Sequence, residues 1–273
     1  MFDVAPAGSL SQGDLVSGLS AHGYEPAQTY GLVITARCDF EHGKADLINY
    51  VPIVPLKHWF DQLGWRRSAS QEERQSSNQL KTEAEKCLKR TEIEKSAIDV
   101  AVDEYGGAAT INLIQSSSAK ISDRATALAE RLDLLRSCLS ADQRAPTIRE
   151  DLVQTLLNDL QAHKLSDLYY LPLDFLSRDE SERAHVALLR EIYSIRTTSL
   201  DPASGVAGIR LREADTSPRP PLSACPIVPF GRVARMKSPY TEHFLQRVTL
   251  LFSRVGVDDV RFANLKRLAE VIR

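Results

Sequence analysis

A chain of 273 residues and 30.4 kDa, 43% hydrophobic and 26% charged, has apolar material for a proper core, which excludes disordered, collagen-like and mucin-like polypeptides. Its longest apolar runs are strand-sized, too short to span a bilayer, and the start MFDVAPAGSL lacks the basic head and apolar stretch of a secretory signal. The net charge of -2 hides an asymmetry: residues 230–273 carry nine Lys/Arg against four Asp/Glu, leaving 25 against 32 in the rest.

From about Gly13 to Phe60 the chain reads as strands. Gly13-Asp14-Leu15-Val16-Ser17-Gly18, Gly31-Leu32-Val33-Ile34-Thr35 and Ile48-Asn49-Tyr50-Val51-Pro52-Ile53-Val54-Pro55-Leu56 are β-formers between turn residues. Pro52 and Pro55 donate nothing to a ladder, so the third run is expected at a sheet edge or curling at its end. From about Ser70 to Lys164 the period becomes helical. Gln71 to Tyr105 is polar with sparse apolar positions (Leu80, Cys87, Leu88, Ile98, Val102), and Gly106-Gly107 breaks the pattern. Thr110-Ile111-Asn112-Leu113-Ile114 fits a strand or a further helical turn, and Ile121, Leu128, Leu132, Leu135 and Leu139 form a narrow stripe. Neither stripe can leave water alone, so two long helices folded back as a hairpin are expected.

Thr147 with Glu150 reads as a capping box for a helix burying Ile148, Leu152, Val153, Leu156, Leu157 and Leu160. Leu168 to Leu173 then reads as a strand, and Asp179 with Glu182 as the start of a helix through Val186, Leu189 and Tyr193. Val206 to Leu211 reads as a strand and Ser217 to Pro221 as a stiff connection. Ser238-Pro239 opens a helix burying Phe244, Leu245, Val248, Leu251, Phe252 and Val255, and a last helix starts at Asp259.

The fold class implied is α+β. A small β-barrel (1–60 and 165–256) is interrupted by a helical insertion (61–164) and finished by amphipathic C-terminal helices, the last over 257–273. Two domains in tandem fit the same pattern.

The strands Gly13-Asp14-Leu15-Val16, Gly31 to Thr35 and Ile48 to Ile53 together resemble the SH3-like small barrel of the MazF/PemK toxin family over roughly 45 residues. The resemblance implies an SH3-like barrel from a bacterial toxin–antitoxin or phage-defence type system. Ribonucleases of that family place an Arg before the second strand and a Thr or Ser at the end of the third. Here those places hold Thr29-Tyr30 and Val54-Pro55. Without a cation for the phosphorane-like charge the largest catalytic contribution is missing, so the resemblance points to the fold reused for binding.

Two local constellations carry chemistry. Thr35-Ala36-Arg37-Cys38-Asp39 leaves a strand for a loop, where Arg37 can depress the thiol of Cys38 and a remote His58 can act as base. The competing reading is a small filler at Cys38 and a turn at Asp39. At the C-terminal end, 100° steps put His243, Arg247 and Arg254 on one flank of a helix preceded by Arg232, Arg235 and Lys237. This strip binds phosphates or an acidic partner unless its heads meet carboxylates of its own body.

Histidines 22, 42, 58, 163, 185 and 243 include no i, i+3 or i, i+4 pair, and Gly106-Gly107 lacks the rest of a phosphate loop. Cysteines 38, 87, 138 and 225 share no pairing or metal spacing. The expectations are therefore no metal or cofactor, a reducing cytoplasm, and no membrane. The functional expectation is a non-catalytic interaction or regulatory component with a protein partner on the helical hairpin. The alternatives are an RNA-cleaving toxin with a displaced catalytic set and a nucleic-acid-binding module using the basic strip.

Overall fold

In the computed structural model, which describes residues 1–4, 10–42, 44, 46–89, 91–177, 179–196 and 231–253, the N-terminal β-formers become strands as their composition requires. These are β1 (Phe2–Val4), β2 (Asp14–Ser17), β3 (Tyr30–Val33) and β4 (Leu47–Pro55), with a short helix α1 (Arg37–Glu41) between β3 and β4. Helices follow: α2 (Leu56–Trp59), a π-helical turn over Phe60–Gly64, α3 (Trp65–Leu88), α4 (Lys95–Val100), a second π-helical turn over Ala101–Tyr105, α5 (Gly106–Ser116), α6 (Asp123–Ser140) and α7 (Glu150–Gln161). The chain returns to strands in β5 (Leu168–Pro172), β6 (Ala184–Leu188) after the single turn α8 (Glu180–Arg183), β7 (Tyr193–Arg196) and β8 (Gly231–Met236), and closes with α9 (Tyr240–Ser253).

The fold is mixed α+β, with several helices and a curled antiparallel half-barrel sheet of order β1-β8-β2-β3-β4-β6-β5, β7 also pairing β4. The chain divides into two units. The sheet unit holds 1–53, 166–169 and 187–273; the helical unit holds 54–165 and 170–186, so it also takes in a stretch that composition assigns to the barrel.

Within the sheet unit, Val16, Leu19, Val33, Ile48 and Tyr50 form a core joined by Tyr193, whose ring stacks on Tyr50 at 5.7 Å. β4 lies inside the sheet, so of the two outcomes expected from its prolines, an edge position or a curl at its end, the edge does not hold. The register explains why Pro52 is tolerated. Ile34 N–H donates to the Asn49 carbonyl, and Pro52 lies opposite Gly31, an odd number of residues away. Its missing N–H therefore falls at a position that is not hydrogen-bonded toward β3.

The helical unit is a packed bundle rather than a two-helix hairpin: α6 lies against α3 and α5, and α7 against α3. Leu80, Ala84, Ile98, Val102, Ile114, Ala129 and Leu132 make its main core. The expected helix from Gln71 to Tyr105 is interrupted after Leu88, where Thr91 donates both its N–H (2.9 Å) and its hydroxyl (2.7 Å) to the Leu88 carbonyl and ends α3. Gly106-Gly107 opens α5, which settles Thr110 to Ile114 as helix. A Cβ on Gly107 would stand 2.2 Å from the Ala129 carbonyl oxygen, so glycine is what lets α5 touch α6. Asp133, on α6, then caps α5 from outside: its Oδ1 accepts from Gly107 N–H at 2.6 Å and its Oδ2 from Ala108 N–H at 2.8 Å.

The capping box expected at Thr147 does not form. The Thr147 carbonyl accepts from Arg131 Nη2 at 2.6 Å, and Arg131 is itself fixed by the buried carboxylate of Glu72 at 2.7 Å. The helix expected from Asp179 to Tyr193 stops at Arg183. Residues 185–188 are buried without alternation, and a run buried on every side satisfies a helical and a strand pattern alike. In α9, Phe244 and Val248 are buried as expected, but Phe252 is exposed. Val206 to Leu211, Ser217 to Pro221, Val255 and the helix from Asp259 lie outside the described residues.

Candidate functional site

Asp14 begins β2 with no solvent exposure at all. It accepts from Arg235 twice, Nε to Oδ1 at 2.6 Å and Nη2 to Oδ2 at 2.9 Å, from Arg232 Nη1 at 3.4 Å and from Ser11 N–H at 2.7 Å. Arg235 stands directly across from Asp14 in the β2–β8 register. Arg232, three residues earlier, would face the opposite side of a regular strand. A bulge opposite Leu15/Val16 inserts one residue into β8 and turns Arg232 back to the same carboxylate. The bond to Asp14 pushes the Arg235 guanidinium's pKa up, so its charge is committed to that pair.

The rest of the expected basic strip is also woven into the sheet unit. Lys237 Nζ meets Asp3 at 2.6 Å. His243 Nδ1 lies 2.9 Å from the hydroxyl of Tyr169, whose buried ring meets Phe244 edge-on at 5.2 Å. Burial raises the Tyr169 phenol, and the charge of the half-buried Arg247 pulls it back. Arg254 lies outside the described residues.

The loop constellation is on α1. Arg37 is exposed and faces Glu41 at 3.5 Å. Cys38 is exposed, with its thiol 3.7 Å from Asp39 Oδ1. His58 is on α2 and belongs to the helical unit, so α1 itself brings together Arg37, Cys38 and Asp39.

The helical unit carries an open cleft of about 460 Å³ that sequence reading did not find. Leu56, Leu157, Leu160 and Ala184 give it an apolar floor. Leu157 and Leu160 come from the α7 stripe, which also sets Gln154 and Gln161 on the rim at i, i+3, i+6 and i+7 spacing. Opposite them stand Tyr170 of β5 and the turn Asp179–Ser181. Asp179 Oδ1 accepts from both the N–H and the hydroxyl of Ser181, each at 2.9 Å. Those two bonds, with help from the nearby Arg183 charge, hold the Asp179 carboxyl below its usual range, so it is an anion at neutral pH. The sequence signal, Asp179 as the cap of a short helix, holds: α8 starts at Glu180, with Asp179 bonding Ser181 N–H and its carbonyl accepting from Arg183 N–H.

Among the described residues no group of three or more His, Cys, Asp or Glu is placed to hold a metal ion, and no helix is long and apolar enough to cross a membrane. Compared with protein-family models, with curated proteins and with solved structures, the chain matches none.

Proposed function

We infer that this protein is a non-catalytic interaction component that engages another polypeptide through its helical unit. The observation that carries the reading is a contrast in how charge and apolar surface are used. Arg232, Arg235 and Lys237 are matched to Asp14 and Asp3 in their own unit, while the helical unit leaves an apolar-floored cleft open. A cation already bonded to a buried carboxylate must break that pair before it holds a phosphate, and that cost weakens nucleic-acid binding.

The setting in a bacterial toxin–antitoxin or phage-defence type system rests on the resemblance of β2, β3 and β4 to the small SH3-like barrel of MazF/PemK toxins. At the two departures from that family, the side chains point to structural use. The Thr29 hydroxyl turns inward to the carbonyls of Leu19 and Pro26, and Val54 is fully buried. A second reading, nucleic-acid binding, draws on one observation: His243 and Arg247 sit one turn apart on α9 with His243 exposed.

Purification of the tagged full chain from its native host, with proteins and nucleic acids identified together, separates the readings. A stoichiometric protein without RNA or DNA is expected. Abundant RNA or DNA without a protein would move the function to the α9 strip.

A further inference from the structure

We propose that the cleft between α7, β5 and the Asp179 turn is the docking site for a partner segment that pairs an aliphatic or aromatic side chain with a neighbouring Lys or Arg. The inference rests on the interaction role argued above and names the partner's chemistry.

Three features select this occupant. The floor is apolar, so an apolar side chain gains by leaving water there. Among the described residues that line the cleft, Asp179 is the one carboxylate and there is no Lys or Arg. Arg183, whose charge acts on Asp179, pairs with Asp174 at 3.5 Å. Asp179 keeps one oxygen, Oδ1, for Ser181, which fixes the carboxylate while Oδ2 takes none of these bonds. A basic residue entering beside the apolar one meets a pre-set anion. The cleft is also open to solvent rather than enclosed. A free small molecule needs most of its surface enclosed to bind well, whereas a polypeptide running across the rim needs only to insert one or two anchors. Gln154 and Gln161 give that backbone two carboxamides to bond.

The test is a phage-displayed dodecapeptide library selected on the immobilised full chain, followed by fluorescence anisotropy of the enriched peptides. Enriched peptides are expected to carry Leu, Ile, Met or Phe within two residues of Lys or Arg. Asp179→Asn should weaken them about tenfold, and Leu157→Arg, which fills the floor with a cation, about a hundredfold. Gln161→Arg, at an exposed rim position that cannot disturb the core, should also weaken them several-fold. Thermal melting of each variant confirms an intact fold. Enrichment of acidic peptides, no enrichment, or equal binding by Leu157→Arg and Gln161→Arg overturns the proposal. If the host partner co-purifies undiminished with Leu157→Arg, the cleft is wrong and the interaction role stands; if no protein co-purifies with the unaltered chain, the role itself fails.

Discussion

Asp14 in the sheet unit and Glu72 in the helical unit are both buried carboxylates held by arginine, and they work at different ranges. Asp14 in the sheet unit ties together residues 218 and 221 positions apart, and Glu72 in the helical unit ties α3 to Arg131 and Arg149, 59 and 77 positions away. Asp14 has no exposure and its partners Arg232 and Arg235 both come from β8. Glu72 shares its load: Arg131 also donates to Thr147, and the second carboxylate oxygen takes the Arg149 N–H at 3.1 Å. The difference teaches where each unit's order comes from. The sheet unit depends on one distant strand being in register, while the helical unit is closed by several shorter-range clasps.

The largest effect that would break this comparison is at Asp14. Asp14→Ala takes the buried carboxylate from both Arg232 and Arg235 and from the Ser11 N–H, and should cost about 3–5 kcal/mol. Glu72→Ala should cost less, about 2–3 kcal/mol, since it takes the carboxylate from one guanidinium rather than two and Arg131 keeps its bond to the Thr147 carbonyl. Urea midpoints of the two variants, measured side by side, check the order; equal losses would remove the contrast. Asp14→Leu combined with Arg235→Met, which removes charge from both sides, should recover much of the loss.

Next in size is Gly107→Ala. Its new methyl runs into backbone at Ala129, which cannot turn aside, so overpacking should cost about 1–3 kcal/mol in the helical unit. Asp133→Ala removes the cap from α5 and should cost about 0.5–2 kcal/mol, with Asp133→Asn losing less because its remaining oxygen still accepts one N–H. Amide hydrogen exchange should localise the Asp133→Ala loss to the first turn of α5.

The smallest effect is a pH dependence. His185 is buried, and burial, reinforced by the neighbouring charge of His58, pushes its pKa below the ordinary histidine value against the pull of the Arg183 carbonyl. The folded state then resists the proton that the unfolded chain accepts. Stability from this site is full above about pH 6.5 and is lost as pH falls below it toward the depressed folded value. Melting temperature should therefore fall between about pH 7 and pH 5, and His185→Gln should flatten that slope relative to the unaltered chain.

Elements with a clean pattern were legible in the sequence. β2, β3 and β4 follow from short runs with Val, Ile, Leu and Tyr between turn residues and β5 from Leu168-Tyr169-Tyr170-Leu171, and the stripe through Leu128, Leu132 and Leu135 does lie on one face of α6. What escaped reading depends on distant partners. Gly106-Gly107 is a break in a one-dimensional pattern, and only Asp133 and Ala129 make it the start of a helix. Thr147 has the spacing of a cap, but Arg131 takes it. Arg232 and Arg235 fall on opposite faces of an ideal strand, and a bulge that no residue type announces puts both on Asp14. The cleft escaped for the same reason: Leu56, Leu157 and Asp179 are far apart in the chain and are brought together only by folding.

The most direct test of the central claim compares two variants in one tagged purification of the full chain from its native host. Leu157→Arg alters the cleft of the helical unit and Arg247→Ala alters the α9 strip. The account predicts that Leu157→Arg loses the protein partner while Arg247→Ala retains it. A partner kept by Leu157→Arg and lost by Arg247→Ala would contradict it.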